Sequence, residues 1–270
     1  MRLVCGMTVS LILLLALVQG ITEFLPISSS GHLVLIGHLG GNDQGTLVDI
    51  ALHVGTLAAV LVYFWHDVRG MLLGGLDLLR GRSSAGGHLA VKVVAATVPV
   101  VVAGLVLTLF APDLFRSVEI IAWTTISFGL LLYAADRWFP AARSMADLPY
   151  GDALIIGIAQ VLALMPGTSR SGITMTAARF LGYTRPEAAR FSLLLSIPTI
   201  AAAGLLLGYD LYRLENARLT RDALIAGVLA FFAALAAIAL MMRWLRTASF
   251  TPFVIYRLIL GFALLLYVYT

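Results

Sequence analysis

Charge is what this chain has least of. Asp, Glu, Lys and Arg make up 12% of its 270 residues, against about 25% in an ordinary soluble domain. With 60% of the chain hydrophobic, there is too little polar side chain to coat a water-soluble globule. That excludes a soluble enzyme, a disordered segment and a nucleic-acid-binding module. The formal net charge of +4 does not restore a nucleic-acid partner, because the 18 basic residues are scattered and form no basic run. Lysine is almost missing: Lys92 stands alone and the other basic residues are arginine. The single cysteine, Cys5, cannot close an internal disulfide and says nothing of the redox compartment. There is no His/Cys cluster at zinc-ligand spacing and no Walker-type phosphate loop, so neither a zinc site nor a nucleoside triphosphate is indicated.

What the chain does have is long charge-free runs: 3–22, 24–42, 93–112, 120–135, 153–169, 191–209 and 223–242, with shorter ones at 50–65 and 258–270. A helix needs about 20 mostly apolar residues to cross a bilayer core of roughly 30 Å. The runs lack the period-two alternation of barrel strands, so the fold class expected is an all-α polytopic membrane protein.

Two of the runs are interrupted in the same way. The first reads Gln19-Gly-Ile-Thr-Glu23-Phe-Leu-Pro26-Ile-Ser28-Ser29-Ser30-Gly31-His32. The second reads Gln160-Val-Leu-Ala-Leu-Met-Pro166-Gly167-Thr168-Ser169-Arg170-Ser171-Gly172. Each has an apolar lead-in with a Gln, then Pro, then hydroxyls, then Gly, at an offset of 141 residues. Pro followed by small polar residues breaks a helix. Broken backbone at membrane depth survives only inside protein or along a cavity. Each segment is therefore expected to be a re-entrant helical hairpin. Three spans follow each one, near 46–65, 91–111 and 119–138, then near 188–208, 222–242 and 252–269. Three crossings per half reverse the second half, so the expectation is one integral membrane domain over 1–270. It is built as an inverted-topology repeat, about 1–140 and 151–270, of six spanning helices plus two hairpins. Eleven basic residues fall on one side, among them Arg69, Arg137, Arg143, Arg179, Arg185 and Arg190, and five on the other, Arg2, Arg116, Arg213, Arg218 and Arg221. The positive-inside rule makes the richer side cytoplasmic. The loop 66–90 then lies on the cytoplasmic side, and its Gly-Gly-Leu-Asp-Leu-Leu-Arg stretch is a candidate for the membrane interface.

The interrupted segments also hold the expensive residues. Glu23 lies between apolar runs, where a carboxylate costs roughly 2.5–3.5 kcal/mol to insert. Gln19 is four residues before it and shares its helix face. Arg170 carries a permanent charge whose planar fork suits phosphate oxygens. Ser28, Ser29, Ser30, Thr168, Ser169, Ser171 and Thr174 supply hydroxyls, and the start of the helix after Gly172 supplies free N–H groups for an anion. His32 is a candidate acid or base. His53 with Asp49, and Arg257, Ser192 and Ser196, are secondary candidates. A cation, a carboxylate, an imidazole and hydroxyls at one membrane-buried site are equipment for a phosphate, and the bilayer setting makes the rest of that substrate lipid. An inverted-repeat transporter or flippase of a lipid phosphate is the alternative.

The same two segments, with the closing Ser249-Phe-Thr-Pro252-Phe-Val-Ile-Tyr256-Arg257, closely resemble the undecaprenyl-diphosphatase family, also called bacitracin-resistance proteins, over the whole chain. The resemblance implies a bacterial inner-membrane enzyme that removes the terminal phosphate of undecaprenyl diphosphate, with its site opening toward the periplasm and a divalent cation, Mg²⁺ or Ca²⁺. It implies catalytic roles for Glu23, Ser29, His32 and Arg170. Substrate contacts would come from Gln19, Ser28, Ser30, Thr168, Ser169, Ser171 and Thr174, and a cation would rest on Glu23. Gln19 stands where many members carry a first Glu, which removes one carboxylate from any cation site. The small-residue stretch at 230–237 would suit close packing against a second copy in a homodimer.

Overall fold

The computed structural model describes residues 9–29, 32, 46–111, 117–212 and 217–270. Ser30 and Gly31 lie outside the described residues, as do Arg2, Arg116 and Arg213. Ten α-helices and no strand occur among the described residues. They are α1 (Val9–Thr22), α2 (Thr46–Tyr63), α3 (Trp65–Leu79), α4 (Ala85–Phe110), α5 (Val118–Trp138), α6 (Tyr150–Gln160), α7 (Arg170–Phe180), α8 (Arg185–Tyr212), α9 (Ala217–Trp244) and α10 (Thr251–Tyr269). The protein is an all-α polytopic membrane protein.

The six expected spans appear in order as α2, α4, α5, α8, α9 and α10. Of these, α4, α5, α10 and Arg221–Trp244 of α9 are each long and apolar enough to cross a membrane unaided. Their outward faces carry the leucines, valines and phenylalanines that a soluble protein would bury, such as Leu105, Leu109, Phe232 and Phe262. Lipid takes the place of a partner there.

One expectation changes. The loop placed at 66–90 is largely helical: α3 leaves the end of α2 at a bend of 85°. If α2 crosses the bilayer, α3 runs along its surface. Gly74 and Gly87 let α3 and α4 touch backbone to backbone, while Leu72, Leu73, Leu76 and Leu79 stay exposed. Apolar residues thus lie both against α4 and on the exposed face of α3.

Small residues set the helix contacts. A Cβ on Gly55 of α2 would lie 2.0 Å from the carbonyl oxygen of Gly227 on α9, and one on Gly157 of α6 would lie 2.2 Å from that of Ala96 on α4. The alanines at 230–237 serve the chain itself, for Gly20 of α1 packs directly against Ala230 and Ala233. The contacts repeat between the halves: α1 and α2 pack on α9, as α6 and α8 pack on α4.

The second interrupted segment is α6, a 3₁₀ turn at Val161–Leu164, a reversal, and α7. Helices of 11 residues span about 16 Å each, too little to cross roughly 30 Å of hydrocarbon. Both ends of the segment return to one face. Arg143 pairs at 2.7 Å with Asp152 at the start of α6, and Asp152 also accepts from the Tyr183 hydroxyl just past α7. Arg179 at the end of α7 is buried and bonds Asp136 of α5, which Arg185 also holds at 2.7 Å. Arg190 pairs with Asp67 of α3. Arg143, Arg179, Arg185 and Arg190, all assigned to one side of the membrane, thus form a rim of ion pairs. Trp65, Trp138 and Trp244 stand exposed at helix ends, as interfacial anchors do.

Candidate active site

The two interrupted segments meet. After α1 the chain turns through Glu23–Ile27, and after α6 through Met165–Thr168. Among the described residues, Ser28 and Ser169 are the non-glycine residues with positive φ, at 70° and 67°. They lie 141 positions apart, the offset between the two sequence motifs. Side chains avoid this region, so both turns hold the same costly backbone in the same place. Gly167 has φ of 91°, and a Cβ there would sit 2.2 Å from Thr124 Oγ1 of α5; only glycine fits.

Arg257 of α10 ties the turns together. It is wholly buried, and its guanidinium donates to the carbonyls of Thr125, Pro26 and Gly167. Pro26 and Gly167 are themselves 141 positions apart. One side chain therefore grips equivalent carbonyls of both segments. Ser171 adds a second link, donating to the carbonyl of Leu25 at 2.9 Å.

Between the turns lies a cavity of about 160 Å³ lined by Thr22, Glu23, Ser29, Ala163, Met165, Ser169 and Arg170. Arg170 begins α7. It donates to Glu23 Oε1 at 2.8 Å, and both side chains are mostly buried. The second guanidinium nitrogen of Arg170, Nη1, is buried with no acceptor. A buried donor left unsatisfied is costly, and the residue that carries it lines the cavity. Ser169 caps α7, accepting from the N–H of Gly172 at 3.1 Å. The helix N-terminus and the guanidinium face the same cavity, which gives it an anion-attracting wall.

The other oxygen of Glu23 accepts from the amide nitrogen of Gln19 at 2.8 Å. That same nitrogen lies 3.2 Å from His53 Nε2. His53 donates from Nδ1 to the carbonyl of Asp49, so its Nε2 is free to accept from Gln19 when neutral. Glu23, Gln19 and His53 form one polar file, with His53 Nε2 at 3.8 Å from the carboxylate. His53 joined through its spacing to Asp49 in sequence, but the carboxylate it reaches is Glu23.

The remaining candidates divide. Ser29 and Ser169 line the cavity. His32 does not: its Nδ1 donates to the Ser28 carbonyl at 2.7 Å, and its Nε2 meets the hydroxyl of Tyr256, whose ring stacks on it. The pairing of Ser29 with His32 is therefore not formed, and His32 fixes the turn that carries Ser29. Ser171 and Thr174 are buried in packing contacts, Thr174 against Ser192 at 2.7 Å. Ser28 is buried and Thr168 is buried with its hydroxyl unpartnered.

The donor set does not by itself fit a divalent cation. Among the described residues no group of three His, Cys, Asp or Glu side chains converges. Both oxygens of Glu23 are engaged, one by a permanent cation. Gln19 turns an N–H toward Glu23 where a glutamate would turn an acceptor.

The comparisons follow this geometry. Residues 12–263 match the family model described as "Bacitracin resistance protein BacA". The chain is 51% identical over 267 residues to an undecaprenyl-diphosphatase of Roseobacter denitrificans, covering 98% of this chain and 100% of that one. It is 53% identical over 257 residues to one of Ruegeria pomeroyi, covering 94% and 96%. It is 50% identical to undecaprenyl-diphosphatase 1 of Rhodospirillum rubrum, covering 96% and 94%. With the motif pair, the paired turns and these matches in agreement, the chain belongs to the BacA bacitracin resistance family.

Proposed function

We propose that this chain hydrolyses undecaprenyl diphosphate to undecaprenyl phosphate and inorganic phosphate, recycling the lipid carrier of peptidoglycan synthesis. The observation that carries the reading is Arg170: a buried guanidinium at a helix start, shared with Glu23 across a small cavity, with one nitrogen still lacking an acceptor. A terminal phosphate supplies the oxygens that nitrogen lacks. The names of the relatives and the family match support the same activity.

In the proposed mechanism Arg170 binds the diphosphate, with Ser169 and the first N–H groups of α7 beside it. Ser29 Oγ attacks the terminal phosphorus and the bond to the lipid phosphate breaks. Glu23 takes the serine proton and hands it to the departing lipid phosphate. It then draws a proton from the water that cleaves the phosphoserine and returns it to Ser29. Gln19 and His53 hold Glu23 in place. No step is routed through a metal ion, since the described residues do not build its site.

The two halves, about 1–140 and 151–270, are proposed to be inverted repeats. The shared offset of the positive-φ serines and the repeated helix contacts support this. The arginine-rich rim is proposed to face the cytoplasm and the cavity to open toward the periplasm.

Phosphate release by the purified protein in detergent tests the activity, because detergent leaves no second compartment. Release that disappears in Arg170→Ala and Glu23→Ala supports the enzyme. Lipid-phosphate flux across proteoliposomes without release overturns it. Rapid-quench trapping of phosphoserine at Ser29 tests the covalent route, and a serine that stays unmodified during turnover replaces it with direct attack by water.

A further inference from the structure

The cavity between the turns has room for a headgroup and none for a long polyprenyl chain. A second hollow lies nearby. It has a volume of about 200 Å³ and is lined by Val94, Thr97, Val98, Val101 and Val102 of α4 and by Pro198 of α8. No polar atom faces it. The one hydroxyl on its wall, that of Thr97, is turned back onto the carbonyl of Val93 at 2.8 Å. Each of the two helices carries a proline beside the groove, Pro99 in α4 and Pro198 in α8. A proline removes a helix hydrogen bond and pushes the preceding turn aside, which leaves the helices less closely fitted there.

One residue relates the groove to the headgroup cavity. Ala163 and Met165 line the cavity. Leu164, between them, points the other way, and its Cδ2 would lie 3.5 Å from a Cβ on Gly104 of α4. Thr97, Val101 and Gly104 follow at i, i+4 and i+7, one stripe of α4. The 3₁₀ turn at Val161–Leu164 thus touches the cavity through its neighbours and α4 at Gly104, one helix turn from Val101 of the groove. Val98, Val101 and Val102 are about half exposed, so the groove opens sideways, where a lipid chain enters from the bilayer.

The geometry points to this α4–α8 groove as the seat of the substrate's polyprenyl chain, reached from the phosphate cavity over Leu164 and Gly104. The inference rests on the phosphatase reading and adds where the lipid part lies. An apolar, laterally open channel beside the anion cavity selects chain length through buried methyl and methylene contacts. A headgroup site alone does not.

Val101→Trp fills the groove from an exposed position that needs no repacking of the core. Val106→Trp is the control, exposed on the same helix but outside the groove. Each variant and the parent are assayed for phosphate release from undecaprenyl diphosphate and from dimethylallyl diphosphate, whose five-carbon chain is too short to fill the groove. The expected result in Val101→Trp is a fall of about tenfold in the long-over-short ratio of kcat/KM, the worth of roughly two buried methylenes. The fall should come mainly from KM for the long substrate, and Val106→Trp should keep the parent ratio. An unchanged ratio in Val101→Trp, or an equal loss on both substrates, overturns the groove. A parent that releases phosphate from neither substrate overturns the phosphatase reading instead, so the two failures are told apart.

Discussion

The turn after α1 and the turn after α6 share a backbone and divide the chemistry. Both carry a serine held at positive φ, and both hand a carbonyl to Arg257. At matching positions, however, the first has Glu23 where the second has Leu164, and Ser29 where the second has Arg170. One turn supplies the acid and the hydroxyl, and the other supplies the cation. Two turns of matching backbone face each other, and their different side chains make one site of opposite charges. Leu164, at the position that matches Glu23, faces Gly104 of α4 instead.

The largest test removes the cation. Arg170→Ala should lower kcat/KM for phosphate release by about a thousandfold, the scale of an arginine that stabilises a phosphoryl transition state. A loss under tenfold would mean that the division of labour is wrong. The double variant Glu23→Leu with Leu164→Glu moves the acid to its mirror position. It should be as inactive as Glu23→Leu alone, because the mirrored acid faces Gly104 rather than Arg170. Activity restored by the swap would make the two turns interchangeable. Glu23→Gln keeps the shape and removes the base, and should cost about a hundredfold in kcat.

Smaller effects concern stability. Arg257→Met strips donors from carbonyls in both turns and should cost about 3 kcal/mol, read as a lowered Tm in detergent. The smallest effect separates two glutamines at equivalent positions. Gln19 is bonded to Glu23 and lies close to His53, whereas Gln160 is fully buried with both amide atoms unpartnered. Gln160→Met should raise stability by about 1 kcal/mol and leave phosphate release at the parent rate. Gln19→Met should slow release by about tenfold, since it frees Glu23 from one of its two holds.

The sequence made the spans legible because a bilayer admits helices almost alone, and apolar runs of the right length can hardly be anything else. The two turns were legible because Pro, Gly and hydroxyls inside such runs have no other stable place. Glu23 and Arg170 were legible because each is too costly in lipid to be incidental. The missing parts depend on contacts between distant segments. The partner of His32 is Tyr256 at the far end of the chain, and no local pattern announces it. Ser171 and Thr174 sit in the motif, yet point into packing, because a short helix turns successive side chains away from one another. In sequence His53 pairs only with Asp49, since spacing reveals neighbours on one helix and not across two. The helix α3 looked like a loop because its glycines and charges hide a stretch that is apolar on two faces.

The contact between Glu23 and Arg170 has a consequence for turnover. A tethered carboxylate is an internal rival at high effective concentration. An arriving diphosphate takes the unengaged nitrogen of the guanidinium and competes with the carboxylate for the other, and the inorganic phosphate left after cleavage, held by fewer contacts, meets the same rival on the way out. The resting pair thus acts as a built-in ejector, favouring an occupant anchored by its tail and expelling one that is not.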